Sequence, residues 1–167
     1  MDTLISLKPL VAVLVSLLVV PLIAYSRSPN MREGWTFLAA GLKFAIVASM
    51  LPAVLSGMEI TCSIVQELPG LSIAFRVDAF GLLFALVASI LWIVTSVYSI
   101  GYMRGLDEHG QTRYFCFFAI SLSATLGVAF SANLLTMYLF YEMLSLATYP
   151  LVTHHQDEEA RTSGRKY

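Results

Sequence analysis

Charged positions along the chain are bunched, and the intervals between the bunches have the length of a bilayer crossing, about 20 predominantly apolar residues. The first interval, residues 9–25, is short but uncharged and is followed by Arg27 and Arg32. The second, residues 35–57, holds one charge, Lys43. The third, residues 79–103, is the longest clean run and carries Trp92, Tyr98 and Tyr102 in its second half. The fourth and fifth, residues 114–132 and 133–153, abut at Ser131, Ala132 and Asn133, which leaves room only for a tight corner. The pattern predicts an all-α membrane protein of about five transmembrane helices, with residues 1–167 as a single transmembrane domain. A cleavable signal peptide competes for the first interval. It is disfavoured because the basic residues behind the run outnumber the single Lys8 before it and no A-x-A site follows.

The connecting segments add two expectations. Residues 58–78 contain the turn Glu67-Leu68-Pro69-Gly70 between the alternations Ser63-Ile64-Val65 and Leu71-Ser72-Ile73-Ala74-Phe75, which predicts a small β-hairpin lying on the bundle. With five spans, Arg27, Arg32, Arg104, Arg113, Arg161, Arg165 and Lys166 fall on one side and Lys8 and Arg76 on the other. Loop cations concentrate in the cytoplasm, so the N-terminus is expected outside, the C-terminus and the tail 154–167 inside, and the loop 58–78 outside.

Composition narrows the class. The 167 residues are 57% hydrophobic and 13% charged, with mean hydropathy +0.75; a soluble domain runs about 45–50% apolar and about 25% charged. The expected location is the cell (inner) membrane. A net charge of −1 and a pI near 6.3 offer no basic face for nucleic acid. Cys62 and Cys116 lack C-x-x-C spacing and read as packing residues. No P-loop, dinucleotide fingerprint or H-E-x-x-H motif occurs, so no cofactor, metal or catalytic redox site is expected in this chain.

Glu142 is the most informative residue. As the tenth residue of the fifth interval it lies roughly 14 Å along that helix, near the middle of a hydrocarbon core about 30 Å thick. A carboxylate there must face protein or water, and intramembrane acids are functional by default. Tyr138, Ser145 and Tyr149 share its helical face and make a polar stripe suited to a proton relay. The alternative is a structural glutamate that fixes helix packing. Lys43 either snorkels to the interface or pairs with Glu142 or with an acid of a partner subunit. Ser121 and Thr125 are candidates to extend the wet path from the fourth helix, and Pro150 to loosen the end of the fifth. Ser123, Gly127 and Ser131, four residues apart, suit close helix contact. Asp78 suits the start of the third span. The run from His154 and His155 to Glu159 reads as a solvated segment, with a proton-collecting patch as the alternative.

Four stretches carry a resemblance. Arg76-Val77-Asp78-Ala79-Phe80-Gly81-Leu82-Leu83-Phe84, Tyr98-Ser99-Ile100-Gly101-Tyr102-Met103, Arg113-Tyr114-Phe115 and above all Phe140-Tyr141-Glu142-Met143-Leu144-Ser145-Leu146-Ala147-Thr148-Tyr149-Pro150-Leu151-Val152 resemble the antiporter-like proton-translocating subunits of complex I, membrane-bound hydrogenases and multisubunit cation/proton antiporters, closest to the D-type antiporter subunit. The resemblance covers residues 68–167. It implies that Glu142 matches a fifth-helix glutamate that pairs with a lysine on a seventh helix in a proton half-channel. This chain stops where the family's sixth helix begins, so it is expected to be the N-terminal part, either a fragment or half of a split subunit. Its expected partners are other subunits of a membrane complex, including a chain that supplies the later helices. The reading from another class is a five-helix structural subunit that carries no ion.

Overall fold

Proline and capping residues set where the helices begin. The computed structural model describes residues 3–68 and 71–153. Helix α1 (Lys8–Ala24) carries Pro9 in its first turn, where the missing N–H removes no helical bond. Helix α2 (Pro29–Ala48) starts behind Ser28, whose hydroxyl accepts a hydrogen bond from the Met31 amide at 3.3 Å, with Pro29 as the first helical residue. Helix α2 thus begins well before Trp35, where the charge pattern placed the interval, and Arg32 and Glu33 lie inside it. The far end of that interval is also broken. Pro52 has no amide to bond the Ala48 carbonyl, so α2 stops and one short turn of helix, α3 (Leu51–Leu55), follows. Helices α4 (Ala79–Gly105), α5 (Gln111–Ala129) and α6 (Leu134–Val152) complete the set, and α6 runs through Pro150.

The predicted hairpin is present as β2 (Glu59–Leu68) and β3 (Leu71–Val77), paired antiparallel, with residues 69 and 70 of the turn outside the described residues. A third strand that the sequence reading missed, β1 (Thr3–Ile5), pairs parallel with β2, with Thr3 opposite Glu59 and Ile5 opposite Thr61. The fold is therefore mostly helical with a three-stranded sheet in the order β1-β2-β3, not all-α. Among the described residues three stretches are long and apolar enough to cross a membrane: Pro29–Leu55, Ala79–Gly105 and Gln111–Ala129. Helix α1 is apolar but shorter. Helix α6 is diluted by Glu142 and by Tyr138, Tyr141 and Tyr149.

Backbone polarity ties the sheet to the corner between α5 and α6. The Arg76 amide donates to the Phe130 carbonyl at 2.7 Å, and the Ala132 amide to the Ala74 carbonyl at 2.9 Å. Asn133 caps α6 by accepting from the Thr136 amide at 2.8 Å, while its own side-chain amide donates to the Ser72 carbonyl at 2.7 Å. These bonds satisfy carbonyls and amides that a helix corner would leave open. The sheet, the start of α1 and the α5–α6 corner consequently lie at one end of the bundle. Arg32, Glu33, Arg104 and Gln111 gather at the other.

Two apolar clusters fill the interior. One, under the sheet, holds Val13, Met50, Ile60, Phe75, Val77 and Phe130. The other, toward the arginine-rich end, holds Val19, Ile23, Ala40, Trp92 and Phe115. A buried polar layer of Ser16, Lys43, Ser89 and Ser123 adds to them. The Val13 carbonyl accepts from Ser16 Oγ at 3.3 Å and from Ser123 Oγ at 2.7 Å, which joins α1 to α5. Gly127 lets α6 approach α5, because a Cβ there would occupy the space of the Phe140 ring.

Gly127→Ala should therefore lower stability by about 1–3 kcal/mol, read as a lower melting temperature in detergent, and Phe140→Leu in the same chain should recover part of it. Cys62, buried at 3% exposure in β2, has its thiol pushed up by burial, so less thiolate is present at a given pH than for a free thiol. In a Cys116→Ser background, alkylation of Cys62 should be slower than that of a free thiol at pH 7, speed up as pH rises, and become complete on unfolding.

Candidate functional site

The clasp on β3 and the Phe140 contact fix the rotation of α6 about its own axis. The side of α6 that meets the bundle carries Thr136, Phe140 and Ala147; Thr136 is 0% and Ala147 3% exposed. Phe140 also meets Phe75 of β3, ring centroids 5.5 Å apart. At about 100° per residue, Glu142 stands on the opposite side. It is exposed, as are Tyr138 and Tyr149, and Ser145 is half-buried. The four predicted stripe residues thus share a face, and that face looks away from the chain's own core. Glu142 forms no ion pair or hydrogen bond with the described residues.

Lys43 goes the other way. Its side chain is 0% exposed, its Nζ donates to the Leu122 carbonyl of α5 at 3.0 Å, and it sits 5.2 Å from the centroid of the Trp92 ring of α4. It neither snorkels nor reaches Glu142. The bond to a helical carbonyl and the cation–π contact hold the ammonium where no carboxylate among the described residues pairs with it.

At the arginine-rich end, the early start of α2 creates a cluster that sequence reading missed. Arg104 of α4 grips Glu33 with two bonds, Nε to Oε1 at 2.9 Å and Nη2 to Oε2 at 2.6 Å, and also donates to Asn30 at 2.5 Å. Arg32 donates to Gln111 at 2.7 Å and Thr112 at 3.2 Å, and lies 3.7 Å from Glu33. The signal was present: Glu33, Thr36, Ala40 and Lys43 recur at three- and four-residue steps along one face of α2, all of them buried.

The remaining candidates resolve plainly. Asp78 is the N-cap of α4, its carboxylate accepting from the Gly81 amide at 2.7 Å. Ser121 and Thr125 do not extend the acidic stripe; each bonds a carbonyl one turn back in its own helix, Phe117 and Ser121, at 2.8 Å. The segment from His154 to Glu159, like the cations Arg161, Arg165 and Lys166, lies outside the described residues.

Three comparisons bear on what such an arrangement belongs to. The family described as NADH-ubiquinone oxidoreductase (complex I), chain 5 N-terminus, matches residues 67–115. The chain is 26% identical over 154 residues to the Na(+)/H(+) antiporter subunit A1 of Staphylococcus aureus strain bovine RF122 / ET3-1, an alignment covering 90% of this chain and 19% of the relative. The same subunit of strain JH9 matches to the same extent. In fold, the chain matches part of the membrane-bound sulfane sulfur reductase, an archaeal respiratory membrane complex, with a TM-score of 0.72 at 16% identity over 87% of this chain and 23% of that one. The chain spans about a fifth of the length of the curated relatives it matches.

The Arg104–Glu33 pair yields a prediction about stability. Removing one partner of a buried pair costs about 3–5 kcal/mol; Arg104 is 46% exposed, so water screens part of the loss and about 1–3 kcal/mol is expected for Arg104→Ala. Thermal unfolding in detergent should show the loss, and Arg104→Lys, which keeps the charge but not the two-bond grip, should lose less.

Proposed function

We infer that this multi-pass membrane chain, which resembles the N-terminal part of antiporter-like proton-translocating subunits, serves in a complex I-like or cation/proton antiporter complex with Glu142 as its proton-carrying group. The observation that carries the reading is the direction of the α6 stripe. A carboxylate at mid-helix with no partner among the described residues costs about 2.5–3.5 kcal/mol at the bilayer centre, so a face bearing Glu142 beside Tyr138 and Tyr149 is suited to cover by further helices rather than by lipid. A cation on such a helix would hold Glu142 ionised, and its withdrawal would let the carboxylate take a proton. That alternation moves a proton by charge and proton transfer and requires no redox group.

In this reading all five long helices cross the membrane as one unit. Helix α1 reaches only about 25 Å, and the sheet at its start lengthens that end of the bundle. Arg27, Arg32, Arg104 and Arg113 then face the cytoplasm, with the sheet outside. The partners are other subunits of the complex and the helices that cover α6, on the same polypeptide or another.

The test is proton flux in everted membrane vesicles that contain the whole complex, followed by a pH-gradient dye after respiratory substrate or a sodium pulse. Glu142→Gln should cut the flux about tenfold or more with assembly on native gels intact, and Glu142→Asp should keep part of it. Unchanged flux in Glu142→Gln, or loss of assembly with flux per assembled complex preserved, would overturn the reading in favour of a structural subunit.

A further inference from the structure

The interior of the bundle between α2 and α4 holds polar groups that the stripe on α6 does not use. From the cluster at Glu33 and Arg104, the buried face of α2 leads through Thr36 to Lys43, and the buried face of α4 leads back through Ser99 and Ser96 to Trp92. Thr36, Ser96 and Ser99 are 1%, 1% and 4% exposed. Successive hydroxyls on α4 are three residues apart, roughly 4.5 Å along the axis, a spacing that single water molecules bridge. Three buried atoms along this lane have no hydrogen-bond partner among the described residues: Arg32 Nε at its mouth, Ser96 Oγ in its middle and Trp92 Nε1 beside Lys43. Buried polar atoms without protein partners mark where water binds, because water supplies two to four bonds per molecule. Lys43 itself offers three N–H donors and has one oxygen acceptor, the Leu122 carbonyl.

We propose that Lys43 is a second, internal proton-exchange site, reached by water from the Arg32–Glu33–Arg104 end through the hydroxyl lane between α2 and α4. The step is a plain proton transfer. One Nζ–H bond of the ammonium breaks, the proton passes to a water oxygen held at Ser96, and it moves on toward the Glu33 carboxylate. The neutral amine keeps its lone pair to take a proton back. The ionisable groups on the elements around Lys43 are few: Arg32 and Glu33 on α2, Arg104 and the exposed Tyr98 and Tyr102 on α4, and Arg113, Tyr114 and Cys116 on α5, with Tyr114 bonded to Ser99 and the Cys116 thiol to Val20. On α1 the one such group is Lys8, which donates to the Ser49 carbonyl at the sheet end. The lane therefore opens toward one membrane face only, and it joins the α6 stripe through no side chain described.

This proposal rests on the chain being part of a proton-translocating complex, so it is tested in the same vesicles beside Glu142→Gln. Lys43→Arg keeps the charge and the donors but cannot release a proton; it should lower flux about tenfold or more while the complex assembles. Lys43→His should restore part of the flux with the pH profile displaced to lower pH, and Ser96→Ala should slow it severalfold. Wild-type flux in Lys43→Arg overturns the proposal, whatever Glu142→Gln does. Where the Lys43 variants do not assemble, Ser96→Ala decides: an unchanged rate and pH profile overturns the proposal, and a slower rate with assembly intact supports it. Flux unaffected in both Lys43→Arg and Glu142→Gln would sink the proton-translocating reading as well.

Discussion

The fit of the Phe140 ring over Gly127 is the contact on which the rest of this structure turns. Helix α6 has few large apolar side chains aimed at its neighbours, and among the described residues it buries only Thr136 and Ala147 fully. One close approach to α5, backed by the bonds of Asn133 and Thr136 to β3, therefore decides its rotation. Once that rotation is set, the direction of Glu142 follows from helix geometry alone. A side chain in place of the glycine would move the acid as well as loosen the seam.

Two groups of opposite charge on long apolar helices thus live in different surroundings. Glu142 stands on the outside of the bundle, where its environment depends on what packs over α6. Lys43 stands on the inside, where a carbonyl and an indole ring hold it without neutralising it. Both arrangements obey the same constraint: a charge far from water needs polar or aromatic contact. They meet it by different means. Helix α6 leaves the requirement to its surroundings, and α2 meets it within the chain.

Much of this was legible in the sequence, and the illegible part has a physical pattern. Spacing between charges located the five long helices, Asp78 was readable as a helix start, and the Glu-Leu-Pro-Gly turn announced the hairpin. Strand β1 was hidden because three residues carry no periodicity and their partner lies beyond three helices. The start of α2 was misplaced because the charge pattern was weighed above the Ser28-Pro29 cap, so Arg32 and Glu33 read as loop charges although they are buried. The fate of Lys43 was not readable from its own helix. Snorkelling and burial differ only in whether a neighbour presents an acceptor at the right height, and that acceptor, the Leu122 carbonyl, is a backbone atom that any residue supplies.

The parallel pairing of β1 with β2 has a consequence for how the chain is made. Thr3 is made before Glu59, the residue it pairs with, and α1, α2 and α3 are made between them. Contacts distant in sequence form slowly because loop closure precedes any reward. Strand β1 must then wait as an unpaired edge until the hairpin arrives to dock it. During that interval its backbone N–H and C=O groups are open to any other strand that can pair with them.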